Sequence, residues 1–195
     1  MTVWLAMLLS LAQAKPETQL LAEIGRDYQE TRLFTACRAD LNGDHLPFLV
    51  VGGFTDTGHG GVSDVMVYSY DEGAAKLRWR TMWKGDVRSS IRTVRAADLD
   101  GDGHDEVIVL GRMGDEDVDS EAELRVLGIA KGGFNVLDAV HWQSGVYTHG
   151  YGMAIGDLDG DGSPEIVSGG FFSDGKHEQA EIRVWKFKRG KLELA

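Results

Sequence analysis

The chain has 195 residues, 43% of them apolar and 26% charged, the proportions of a soluble globular protein with one sizeable domain. Acidic side chains outnumber basic ones 31 to 20, and the net charge of −11 argues against nucleic acid and anionic membrane as partners. A single cysteine, Cys37, excludes an intrachain disulfide, and its neighbours Leu33, Phe34 and Ala36 predict a buried structural thiol.

Residues 1–14 read as an export signal. The apolar run Val3 to Ala12 is shorter than the roughly 20 residues that span a bilayer. It ends at the A-x-A site Ala12-Gln13-Ala14, followed by polar Lys15-Pro16-Glu17-Thr18. The first residues carry no Lys or Arg, so an uncleaved anchor or a buried helix is the alternative. Cleavage predicts a secreted, periplasmic or extracellular protein with no membrane span in the mature chain. Within residues 15–30, Gln19-Leu20-Leu21-Ala22-Glu23-Ile24 is strand-like.

Three acidic stretches follow. Asp98-Leu99-Asp100-Gly101-Asp102-Gly103-His104-Asp105-Glu106 and Asp157-Leu158-Asp159-Gly160-Asp161-Gly162-Ser163-Pro164-Glu165 share one form. Asp40-Leu41-Asn42-Gly43-Asp44-His45-Leu46-Pro47-Phe48 is a weaker copy. Crowded carboxylates repel one another unless a cation sits between them, and an all-oxygen set suits Ca2+. The expected ligands are Asp98, Asp100, Asp102 and Glu106, and Asp157, Asp159, Asp161 and Glu165, with His104 and Ser163 giving backbone carbonyls. A solvated acidic turn is the plainer reading of any single copy. An EF-hand needs an acidic twelfth position and flanking helices, whereas Val109 and Ser168 stand there, in apolar runs.

Asp40, Asp98 and Asp157 begin these loops at spacings of 58 and 59 residues. The register extends further: Trp83 and Trp142 each precede the next loop by 15 residues. A constant period of this size marks a repeat architecture. Each repeat reads as four strands. The first enters the loop (32–39, 91–97 and 152–156) and the second leaves it (48–51, 107–110 and 166–168). The third alternates (65–68, 124–127 and 182–187), and the fourth covers 76–83, 134–142 and 191–194. The polar stretches 55–64, 113–121 and 173–180 read as loops, the middle one acidic enough to hold another cation. Four antiparallel strands per unit predict an all-β fold of β-propeller blades at about 31–85, 86–145 and 146–195. A solenoid or sandwich is the runner-up.

The loops at Asp98 and Asp157 resemble those of FG-GAP and VCBS repeats, found in integrin α-subunit propellers and many secreted bacterial proteins. Tyr151-Gly152 is similar to that family's aromatic-glycine pair. Gly52-Gly53-Phe54 and Gly169-Gly170-Phe171 stand where it has a glycine-rich turn after the second strand. The resemblance covers about residues 30–195 and implies a bladed propeller with calcium between the first and second strands of a blade. The first loop departs from it, with Phe48 for the glutamate and His45 for the second glycine, so weak or absent binding is expected there. Three blades fall short of the usual four to eight, which predicts a partial propeller completed by further blades in a longer chain or an oligomer.

Function is less constrained. A binding or adhesion module recognising protein or glycan is the first expectation. The alternatives are a propeller domain of a secreted polysaccharide lyase or hydrolase, or a scaffold. Tyr147, His149 and Tyr151 alternate into the third loop, as a packed strand or as the lining of a sugar or peptide groove. No nucleophile motif or phosphate loop is present.

Overall fold

The computed structural model describes residues 30–84, 88–115, 119–130 and 132–195. The export signal and the Gln19–Ile24 segment lie outside the described residues. All regular structure described is β: β1 Thr31–Ala39, β2 Phe48–Asp56, β3 Gly61–Asp71, β4 Ala74–Trp83, β5 Ser89–Ala97, β6 Glu106–Asp115, β7 Asp119–Ala130, β8 Gly133–Trp142, β9 Tyr147–Gly156, β10 Glu165–Ser173, β11 Glu178–Lys188 and β12 Lys191–Leu194. Among these residues no helix is long and apolar enough to cross a membrane.

The strands form antiparallel meanders in chain order, β1 to β4, β5 to β8 and β9 to β12. A single parallel bridge between Ser120 and Tyr147 joins the second and third meanders into one eight-stranded sheet.

The core lies between the meanders. Along β6, Val107 and Val109 pack with Val50, Val65, Val67, Ile91 and Val94, while Ile108 and Leu110 pack with Leu124, Met153, Ile166, Trp185 and Phe187. Successive residues of a strand point to opposite faces, so an unbroken Val-Ile-Val-Leu run is what a sheet covered on both sides requires. All four are at most 1% exposed, each contributing about 1.5–3 kcal/mol of burial. Cys37, expected to be buried, is half-buried against the first cluster, with Leu33, Phe34 and Ala36 exposed beside it, and desolvation pushes its thiol up to about 11.

Polar ties reinforce the contacts. The indole of Trp83, ending β4, donates to Glu123 Oε2 on β7 at 2.9 Å. Trp142, ending β8, donates to Glu181 Oε2 on β11 at 2.7 Å. Arg125 and Arg183 complete the two sites, each pairing with the carboxylate and stacking over the same indole.

The first strand of every meander carries a bulge at one position. Phe34, Arg92 and Tyr151 have no partner in the ladders of β1, β5 and β9. Each lies six residues before its acidic loop. Opposite the bulges sit glycines. A Cβ on Gly53 would come within 1.9 Å of the Arg32 carbonyl oxygen, on Gly111 within 2.2 Å of that of Ser90, and on Gly170 within 1.9 Å of that of His149. The glycine-rich stretches read as turns are therefore inside β2 and β10, and the glycines admit the bulged backbone rather than reverse the chain. The polar loops also shrink. Residues 61–64, 119–121 and 178–180 are strand, and Asp64 and Ser120 are buried there, both at 0% exposed.

Candidate metal centre

Each acidic loop joins the first and second strands of its meander, so the strand ends fix both of its termini. In the second loop Asp98 gathers the backbone. Its Oδ1 accepts from the N–H of Gly101 at 2.7 Å and Asp102 at 3.1 Å, and its Oδ2 from Gly103 at 2.9 Å. Asp102 accepts from the His104 N–H, and buried Glu106 reaches back to the Leu99 N–H at 2.8 Å.

The third loop has the same skeleton. Asp157 accepts from Gly160 at 2.7 Å and Gly162 at 3.0 Å, Asp161 from Ser163 at 2.8 Å, and Glu165 from Leu158 at 2.9 Å. In both loops the carboxylates at positions 1, 3 and 9 converge. Asp98, Asp100 and Glu106 have oxygens within 4.8 Å of one another, as do Asp157, Asp159 and Glu165. Asp102 and Asp161 stand beside these groups rather than in them. A carboxylate oxygen has lone pairs to spare after one backbone hydrogen bond. The donor set is therefore hard, anionic and all oxygen, and it fits Ca2+ better than a soft metal.

The two loops differ in charge. In the second, burial and the carboxylates of Asp100, Asp102 and Asp98 push Glu106 up to about 7, against the pull of the Leu99 N–H. Among the described residues no ammonium or guanidinium pairs with that cluster. In the third, the Lys186 ammonium on β11 contacts Asp159 Oδ2 and lies 3.1 Å from Glu165 Oε1 and 3.4 Å from Asp161 Oδ2. The bonds to Asp159 and then Glu165 hold the ammonium well above its usual range. By its position two residues past the aligned valines Val126 and Val184, the second meander has Gly128 where the third has Lys186. The sequence reading missed Lys186, because a lysine in an alternating strand resembles any solvated residue.

The first loop is built differently. His45 takes the left-handed backbone (φ 64°) that Gly103 (φ 90°) and Gly162 (φ 89°) supply elsewhere. Its N–H donates to Asp40 Oδ2 at 2.9 Å, and its Nδ1 lies 3.1 Å from the same oxygen. Burial opposes ionisation of Asp40, but the His45 N–H and imidazole outweigh it and hold the carboxyl below its usual range. Phe48 brings no carboxylate and packs at a tilt against Trp79 instead, ring centroids 5.4 Å apart. The loop leans on its neighbour: Asp40 N–H donates to Asp105 Oδ2 at 2.7 Å, and Asp105 N–H returns to the Asp40 carbonyl at 2.8 Å.

Of the aromatic-histidine set, His149 is buried at 6% exposed and lies 3.0 Å from Ser120 Oγ, a packing role. Tyr151 stays 44% exposed and stacks on Phe171. Of the acidic stretch 113–121, residues 116–118 lie outside the described residues.

No protein-family model matches the chain, and no curated protein matches it.

Proposed function

We propose that the chain is a calcium-stabilised β-propeller segment of FG-GAP/VCBS type, exported, and working as a binding or adhesion module. The observation that carries this is the shared skeleton of the second and third loops, in which three carboxylates converge on one point and backbone N–H groups hold them there. A cation bound by Asp98, Asp100 and Glu106, with Asp102 and the His104 carbonyl nearby, would neutralise the cluster and lock the turn between β5 and β6. The three stacked meanders, their core shared between neighbours, support a bladed arrangement in which no unit buries both faces alone.

Calcium here is structural. A ligand that binds only the folded chain stabilises it by about 2.7 kcal/mol at a hundred times its dissociation constant. For a chain of this size that is a rise of roughly 5–10 °C in melting temperature. Thermal unfolding with calcium and with excess chelator tests the reading: a calcium-dependent rise supports it, and superimposable curves would refute it.

A further inference from the structure

The three bulged residues meet. The Arg92 guanidinium lies over the Phe34 ring at 5.0 Å and over the Tyr151 ring at 5.4 Å. Phe34 in turn contacts Phe54 with ring centroids 5.7 Å apart, and Arg32 lies over Phe54 at 5.6 Å. Tyr151 stacks on Phe171 at 5.6 Å. The result is a row of two guanidiniums and four aromatic rings crossing all three meanders. Phe34 and Tyr151 remain 45% and 44% exposed. Bulges are used in this way to re-aim side chains at functional positions.

A cavity of about 460 Å³ opens beside this row, at the end of β5 opposite the acidic loop. Small-ligand sites span roughly 300–1,000 Å³. Arg32, Arg88, Arg92 and Arg112 all line it, with the rings of Phe34 and Phe54. The carboxylates of Glu30 and Asp56 also line it, and Asp56 accepts the Gly58 N–H of its own turn. Among the described residues the lining carries four guanidiniums against two carboxylates, the opposite balance to that of the whole chain, whose net charge is −11.

The geometry points to this cavity as a binding site for a carboxylated sugar of an acidic glycan, the guanidiniums taking the carboxylate and the Phe34 and Phe54 rings the apolar face of the pyranose. Guanidinium forks match carboxylates in the plane of both groups. Aromatic rings add apolar contact area at little entropic cost. A uronate ring offers a C–H face and a carboxylate on one rigid frame. An acidic peptide carries its carboxylates on flexible stems with no ring face to stack. The inference rests on the reading of the chain as a binding module, but not on its metal.

Calorimetric titration of the calcium-saturated protein with a hyaluronan tetrasaccharide, whose only acid is glucuronate, tests it. Saturable binding is expected, at least fivefold weaker in Arg32→Gln, Arg88→Gln and Phe34→Ala, and absent for the carboxyl-reduced tetrasaccharide. Arg32, Phe34 and Arg88 are exposed, so these variants keep the fold, and their calcium-dependent melting shift should equal that of the unchanged protein. No binding of the tetrasaccharide, equal binding of its neutral form, or full affinity in the Arg32→Gln/Arg88→Gln double variant would overturn the site. Tetraglutamate binding as tightly would overturn the sugar. A missing calcium shift in the unchanged protein would instead strike the metal reading and leave this result to stand by itself.

Discussion

The ammonium of Lys186 lies 3.1 Å from the Glu165 carboxylate, among the oxygens of the third acidic loop. It is a cation supplied by the chain itself, and among the described residues the second loop has no counterpart to it. The two loops share a backbone skeleton but not a charge balance, and this asymmetry has measurable consequences.

Replacing Lys186 with methionine should destabilise the calcium-free protein, because Glu165 is buried and would lose its counter-charge. The same change should raise calcium affinity at the third loop by at least tenfold, since the ion no longer competes with an ammonium. Calcium titration of Lys186→Met beside the unchanged protein checks this. An affinity unchanged within twofold would show that Lys186 lies outside the ion's place.

Glu106 gives a pH dependence. Its carboxyl is pushed up to about 7 in the folded chain, by burial first and then by its acidic neighbours, against about 4.3 in an unfolded one. Between those values the folded state holds the extra proton, so stability falls as pH rises from about 4.5 to 7, by at most about 1.4 kcal/mol per pH unit. Calcium should flatten this slope, and Glu106→Gln should remove its share of it. Urea unfolding at pH 5, 6 and 7 with chelator is the measurement. A stability that rises across this window in the unchanged protein but not in Glu106→Gln would reverse the assignment.

How much of this was legible in the sequence depends on the kind of residue. The period of the loops, the Val107–Leu110 run and the recurrence of Trp83 and Trp142 were all visible, because each is one residue type doing one job in each unit. The partners of the tryptophans were not. Glu123 and Glu181 stand just past the polar stretches 113–121 and 173–180 and just before the alternating strands, where no pattern singles them out, although both carboxylates are held at the contact between meanders. The bulges were hidden because the residues at the shared position do not recur in type: two are aromatic, Phe34 and Tyr151, and the one between them in sequence is Arg92. Only the glycines opposite them recur, and glycine in sequence suggests a turn before it suggests a close backbone approach.

Those glycines are testable. Gly111→Ala should cost about 2–4 kcal/mol, since its Cβ would meet the Ser90 carbonyl oxygen at 2.2 Å and one backbone must shift. Gly152→Ala, one residue past the bulge at Tyr151 and with nothing within 4 Å of its Cβ, should cost no more than about 0.5 kcal/mol. Equal losses for the two in chemical denaturation would contradict the role given to the glycines opposite the bulges.

The hydrogen bond between the first and second meanders can be removed by one substitution. Trp83→Phe keeps a six-membered aromatic ring but loses the pyrrole half of the indole, with the N–H bonded to Glu123 at 2.9 Å. A hydrogen bond to a buried charged group contributes about 1.5–3 kcal/mol, reduced here because Arg125 still pairs with Glu123. A loss of about 1–2 kcal/mol in urea unfolding is expected, and a loss below about 0.3 kcal/mol would mean the tie is incidental.

Isothermal titration of the metal-free protein with calcium, beside Asp98→Asn, addresses the carboxylate cages most directly. The expected result is saturable binding whose tightest component disappears in Asp98→Asn and persists in Asp40→Asn. An absence of binding heat together with an unchanged melting temperature, or full binding by Asp98→Asn, would contradict the account.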